Sequence, residues 1–247
     1  MIIAMAGKGG VGKSTISAQL VRCLSKKGLV LAVDADPNSN LGEKLGIQLY
    51  GTIGEVRNSL VADPEQVPSG ISKQDYIKNK VMQTVAEGDN VDLLTMGRPE
   101  GKGCYCYVND ILKTCFADMV PRYRYAVFDN EAGMEHLSRK VLPTVDVLVF
   151  VSDPTITGVR TAARLSVLAD EVGVEVNRKI LVLNNIPSKD YSPLTEEAAK
   201  LGLKEVLPIF RDEHVIDSAM RGEKLDIPDD SEFAKSVAGL ADLIIAG

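Results

Sequence analysis

Cysteine is scarce in this chain, with four residues in 247. That is too few for a disulfide framework, so the thiols read as free groups, metal ligands or redox groups of a reducing compartment. Long apolar runs are missing as well. No stretch approaches the roughly 18 residues that a membrane-spanning helix needs. The N-terminal run from Met1 to Ala6 is too short for a signal-peptide core and meets Lys8 at once. It reads as a buried strand. A basic excess is also absent. Lys and Arg total 28 against 34 Asp and Glu, a formal charge of −6. That balance argues against broad nucleic-acid binding, which needs a basic face. There is no internal repeat, low-complexity tract or obvious linker. The expected compartment is the cytoplasm, with neither nucleic acid nor membrane as partner.

What is present is ordinary globular material, 45% hydrophobic and 25% charged. Short β-branched runs alternate with longer helical patterns. Ile2–Ala6, Leu29–Val33, Val91–Met96, Tyr125–Phe128, Val145–Val151 and Ile180–Leu183 read as strands covered on both faces, and Glu205–Ile209 as a weaker one. Helical patterns fall near Lys13–Lys27, Tyr107–Met119, Thr157–Val172, Thr195–Leu201 and Ser231–Ala246. This alternation predicts an α/β fold. The expectation is one domain over residues 1–247, with a mainly parallel sheet of roughly seven strands and helices on both faces. The polar stretch from Leu49 to Asn90 shows no clear strand and is expected to wrap the sheet edge as helices and loops.

Gly7-Lys8-Gly9-Gly10-Val11-Gly12-Lys13-Ser14-Thr15 fits the phosphate-loop pattern G-x-x-x-x-G-K-[ST], after a predicted strand and opening a predicted helix. Glycines let backbone N–H groups approach phosphate oxygens, and the helix N-terminus favours the anion. Lys13 is placed on the β- and γ-phosphates, Ser14 on Mg²⁺ and Thr15 on the α-phosphate. Lys8 is a second cation inside the loop. On residues alone it is also compatible with a solvated loop lysine. Two further strands end in carboxylates. Val33-Asp34-Ala35-Asp36-Pro37-Asn38 places Asp36 where it orients or deprotonates an attacking water, or caps a helix over Asn38–Leu45. Asp34 reads as structural support. Tyr125-Ala126-Val127-Phe128-Asp129 is a Walker B pattern whose Asp129 holds Mg²⁺.

The K-G-G-x-G-K-S-T loop resembles the deviant Walker A motif of the MinD/ParA/nitrogenase-iron-protein group of P-loop NTPases. The resemblance implies an ATP-sandwiching homodimer in which Lys8 reaches the partner's nucleotide. It implies that Asp36, the second Asp of D-x-D, activates water within switch I. Asn130-Glu131-Ala132-Gly133 then reads as switch II, with the Gly133 N–H on the γ-phosphate. It also implies that Asn184, in Leu183-Asn184-Asn185, bonds the purine base, with Pro208 to Asp212 bordering it. On residues alone both segments also fit turn formers.

Cys104-Tyr105-Cys106 closes the run Gly97-Arg98-Pro99-Glu100-Gly101-Lys102-Gly103. The glycines make an open loop, and Lys102 is placed to lower a thiol pKa. Two thiolates are half a structural zinc site, and a two-fold dimer supplies four. Nickel(II) also accepts thiolates. A metal bridging two subunits, a redox dithiol and unrelated thiols all remain open. Cys23 and Cys115 read as core residues. The Cys104 loop, together with Asp129-Asn130-Glu131-Ala132-Gly133-Met134-Glu135-His136, resembles CooC/AcsF-type nickel-insertion ATPases. That likeness implies ATP-dependent metal handling, with Ni²⁺ or Zn²⁺ on Cys104 and Cys106. It also implies a client carbon monoxide dehydrogenase or acetyl-CoA synthase. His136 fits a metal role or a surface histidine. Rival readings are an iron–sulfur electron donor, a MinD/ParA-like positioning ATPase and a small-molecule kinase. The first is at odds with a stretch from Asp129 to Arg139 that contains no cysteine.

Overall fold

The computed structural model describes residues 1–38, 40–63, 67–98, 113–132, 144–187 and 190–246. The strands are β1 (Ile2–Gly7), β2 (Val30–Asp34), β3 (Ala86–Glu87), β4 (Val91–Thr95), β5 (Tyr125–Asp129), β6 (Thr144–Ser152), β7 (Glu175–Ile186) and β8 (Val206–Phe210). They form one sheet in the order β3-β4-β2-β5-β1-β6-β7-β8. Every pairing is parallel except β3 with β4.

The near-continuous apolar character of the strands follows from burial on both faces. Alternate residues of β1 go to opposite sides. Ile3 and Met5 join one core cluster, and Ala4 and Ala6 the other. The first cluster is roofed by α1 (Lys13–Ser25), α2 (Leu41–Leu45) and α9 (Glu232–Ala246). The second is covered by α3 (Ile53–Ala62), α4 (Lys73–Gln83), α5 (residues 113–119), α6 (Ile156–Glu171) and α7 (Ser192–Lys200). A further helix, α8 (Glu213–Arg221), contributes no buried residue.

The sheet has eight strands where seven were expected. The extra one, β3, is two residues long with one of them buried, too short to show a periodicity. It lies in the Leu49–Asn90 stretch, which otherwise forms α3 and α4. The helix α3 starts on a capping box. Thr52 Oγ1 accepts from Glu55 N at 3.1 Å, and Glu55 Oε2 accepts from Thr52 N at 2.7 Å. The helix expected after Asp36 begins later, at Leu41. Asp36 does not cap it, because its Oδ1 accepts instead from Asn38 N at 2.8 Å. The helix expected over Tyr107–Met119 is described from residue 113 onward. Parallel order puts the C-terminal ends of β1, β2, β4, β5 and β6 at one edge, and ligands bind at that edge in such sheets.

Candidate nucleotide-binding site

In the loop joining β1 to α1, Gly7, Gly10 and Gly12 hold backbone conformations that other residues adopt only with strain. Gly7 has φ +152°, and a Cβ there would lie 2.3 Å from the Val151 carbonyl oxygen. Gly12 has φ +94°, occupies the N-cap of α1, and a Cβ would lie 2.4 Å from Asn184 Nδ2. Glycine there leaves the first N–H groups of α1 unobstructed for an anion. Lys13 opens the helix and is only 7% exposed. Its Nζ donates to the loop's own carbonyls, Gly7 at 3.3 Å and Lys8 at 3.1 Å. Burial lowers its pKa, and the negative charges of Asp129, Asp36 and Glu131 oppose that. Ser14 and Thr15 follow in the first turn, half-buried, while Lys8, Gly9 and Gly10 are exposed.

Three polar side chains end adjacent strands in register. Asp34 of β2 pairs with Thr95 of β4 on one side and Asp129 of β5 on the other. All three are fully buried. Asp129 Oδ1 accepts from Ser17 Oγ at 2.9 Å, while its Oδ2 has no hydrogen-bond partner among the described residues. Burial raises the Asp129 pKa, opposed by the Ser14 and Ser17 hydroxyls and the Lys13 ammonium. An orphaned carboxylate oxygen beside a serine hydroxyl is a hard-oxygen donor set, and it fits Mg²⁺. Asp34 supports the turn after it. Its Oδ1 accepts from Asp36 N at 3.2 Å and its Oδ2 from Leu41 N at 2.9 Å. Asp36 is half-buried beyond it. Asn130 is buried and donates to the Met5 carbonyl at 2.9 Å, fixing the chain just after β5 against β1.

Burial, with the Asp129 charge adding to it, pushes the Asp34 carboxyl up to about 7 from 3.8. The folded chain therefore keeps a proton that the unfolded chain has released. Its stabilising effect is complete below the unfolded value and is lost as pH rises towards about 7. Relative to Asp34→Asn, the native chain is expected to lose up to about 4 kcal/mol between pH about 4 and about 7. Urea unfolding of both proteins across that range measures it, and parallel stability curves would contradict it.

Beside the loop lies a pocket of about 510 Å³, lined by Gly10, Val11, Gly12 and Thr15 on one side. Asn184, Phe210, Arg211, Asp212 and one face of α8 line the other. Asn184 Nδ2 donates to the Val11 carbonyl at 2.8 Å, so it braces the loop while bordering the pocket. Asp212 caps α8 through His214 N at 3.0 Å and also accepts from Phe233 N at 3.2 Å. Pro208 sits inside β8 opposite Leu183 and is not among the pocket's lining residues. Sequence reasoning missed the α8 wall of Val215, Ile216, Ala219 and Met220. Its signal was available as the i, i+1, i+4, i+5 spacing of one helix face.

Gly133, His136, Cys104 and Cys106 lie outside the described residues. Among the described residues no group of three or more His, Cys, Asp or Glu side chains is placed to hold a metal ion. Cys23 is half-buried and Cys115 buried, and burial raises the pKa of both thiols. Both pack against the core, in line with the sequence reading. No described helix is long and apolar enough to cross a membrane.

A parallel sheet with a glycine phosphate loop after its central strand, a buried lysine opening the next helix and an Asp ending a neighbouring strand defines a P-loop nucleotide-binding protein. Residues 2–225 match the CobQ/CobB/MinD/ParA nucleotide binding domain, and the chain belongs to that family. An uncharacterized ATP-binding protein of Methanocaldococcus jannaschii is 39% identical to it, over 99% of this chain and 98% of that one. The carbon monoxide dehydrogenase accessory protein CooC of Rhodospirillum rubrum is 34% identical over 71% of each chain. The crystal structure of a ParA family ATPase from Chlorobium tepidum superposes with a TM-score of 0.72 at 21% identity, covering 97% of this chain and 96% of that one. That last likeness concerns the fold.

Proposed function

We propose that this protein is an ATP-hydrolysing metallochaperone. In this reading it dimerises around nucleotide and a cysteine-bound metal, and it assists nickel insertion into carbon monoxide dehydrogenase or acetyl-CoA synthase. The observation that carries the proposal is the thiol pair Cys104/Cys106 in a P-loop chain that is similar to a carbon monoxide dehydrogenase accessory protein. A positioning ATPase of the same family leaves that pair without a task. It also needs a basic amphipathic C-terminal helix or a basic surface stripe. Here α9 directs Phe233, Val237, Leu240 and Ile244 into the core, and Ser231–Gly247 holds one lysine and no arginine.

In this reading the roles are as follows. Backbone N–H groups from Gly9 to Gly12, with Lys13, take the phosphates of ATP. Ser14 and Asp129 would hold Mg²⁺, which neutralises charge on the β- and γ-phosphates. Thr15 lies beside the α-phosphate, the Gly133 N–H reads the γ-phosphate, and Asp36 orients the attacking water. Lys8, exposed on the loop, faces the partner subunit's nucleotide. Asn184 and Asp212 border the base, with Pro208 behind them in β8. In the closed dimer two Cys104/Cys106 pairs supply four thiolates to one Ni²⁺ or Zn²⁺ ion.

Coupling requires that the two nucleotide states differ in metal affinity. Competition against a chromophoric chelator should give Ni²⁺ affinities that differ by at least about 10-fold between a non-hydrolysable ATP analogue and ADP. Equal affinities in the two states would refute the delivery mechanism.

A further inference from the structure

A second pocket, of about 410 Å³, opens between α1 and α9 and shares no lining residue with the one beside the phosphate loop. From α1 it takes Gln19, Cys23, Lys26 and Lys27, spaced i, i+4, i+7 and i+8 on one helix face. From α9 it takes Ala234, Ala238 and Ala241, at the matching i, i+4 and i+7. Alanine ends at Cβ, so the α9 wall leaves open the space that longer side chains would fill.

Gln19 sets this pocket apart. It is 4% exposed, and its Oε1 is buried with no hydrogen-bond partner among the described residues. An amide oxygen in that condition costs free energy that a donor restores. An acceptor has no use for phosphate, and Gln19 stands six positions after Lys13, roughly 9 Å further along the helix axis. The nucleotide site therefore does not account for it. The mouth of the pocket is charged but balanced. Lys26 Nζ pairs with Asp229 at 3.1 Å, and Lys27 Nζ pairs with Asp242. Both pairs are exposed, so each contributes little to stability and yields readily to an entering molecule. The same four charges bear on the Cys23 thiol, but burial has the larger effect and raises its pKa, which keeps it neutral.

We propose that this pocket binds a small neutral carboxamide, whose N–H donates to Gln19 Oε1 and whose apolar part lies against Cys23 and the alanines of α9. Each part of the ligand answers a feature of the site. The amide N–H supplies the donor that Oε1 lacks, and the carbonyl beside it offers an acceptor to the Gln19 side-chain NH₂. Neutrality follows from the charge balance. The two lysines at the mouth already have carboxylate partners, and an ionised group beside Gln19 would be buried without a counter-charge. The volume falls within the range of sites that take small organic molecules. The proposal is independent of the metallochaperone reading.

The test is an NMR titration of the full, ¹⁵N-labelled chain with benzamide as the probe. Saturable binding with a Kd of about 1–10 mM is expected for a ligand of this size, with resonance shifts at Gln19, Cys23, Ala238 and Ala241. Gln19→Leu keeps the volume, removes the acceptor and should weaken binding by about 5-fold or more. Ala238→Leu fills the pocket from a half-buried position on α9, leaves Gln19 in place and should weaken binding by about 10-fold or more. Acetophenone, with the same ring and carbonyl but no N–H, should bind at least about 5-fold more weakly than benzamide. A saturating non-hydrolysable ATP analogue should leave the benzamide Kd within about twofold, because the two pockets share no residue. Absence of saturable shifts at these residues in the native chain overturns the proposal, and so does affinity that survives both substitutions. Displacement of benzamide by the ATP analogue, with shifts at Gly12 and Asn184, would place it in the nucleotide pocket and overturn the proposal as well.

Discussion

Lys13→Ala should lower kcat/KM for ATP by about 10³ or more, with the fold intact. The reason is local. Lys13 is 7% exposed, and its ammonium sits over the loop carbonyls of Gly7 and Lys8. A cation held in so little water acts on a phosphate far more strongly than one in solvent. Its partners among the described residues are carbonyl dipoles and the more distant charges of Asp129, Asp36 and Glu131. Burial already disfavours the charge, so alanine removes a strained group and not a support of the core. Lys8 offers no replacement, because it is exposed and, in the proposed dimer, is assigned to the partner's nucleotide. Steady-state kinetics and thermal melting of the same preparation check the prediction. A loss under 10-fold would mean that the phosphates bind elsewhere.

Cys104→Ser/Cys106→Ser should weaken Ni²⁺ binding by about 10³ or more and abolish any metal-linked dimer. One chain supplies two thiolates, and a closed thiolate site needs four, so each double substitution removes all four ligands of a shared ion. The remaining cysteines cannot take over. Cys23, in α1, packs half-buried against the core cluster and Cys115 is buried in α5, and burial raises both pKa values against thiolate formation. Chelator competition on native and substituted protein measures the change. Retained affinity in the double variant would place the metal on other residues.

The central strands were legible because both of their faces are covered, which makes them unbroken β-branched runs. The phosphate loop was legible because its glycines, lysine and serine are adjacent in sequence and carry their own geometry. Asp129 was legible through its place at the end of an apolar strand. What sequence could not show are pairings across long separations. Asn184 reaches Val11 across 173 residues, Arg98 reaches Asn38 across 60, and Ser17 reaches Asp129 across 112. None of these has a local signature.

Other features were hidden for lack of length or of a reference. The strand β3 is too short for alternation to appear. The apolar face of α8 shows helical spacing in the sequence, but its meaning depends on the pocket it walls. Asp36 illustrates a local competition. An Asp followed by Pro-Asn favours a side-chain turn, and Asp36 bonds Asn38 N instead of capping the helix that starts at Leu41. The elevated pKa of Asp34 arises from burial and from the register that sets it beside Asp129, neither of which a single strand displays.

Size-exclusion chromatography with light scattering and metal analysis of each peak, without nucleotide, tests the shared-thiolate account most directly. Metal-free protein, protein given one Ni²⁺ per two chains, and Cys104→Ser/Cys106→Ser treated alike are compared. The account predicts that nickel converts the native chain to a dimer holding one ion per two chains, while the substituted protein stays monomeric. If native and substituted proteins elute alike with and without nickel, Cys104 and Cys106 do not join two subunits through a metal.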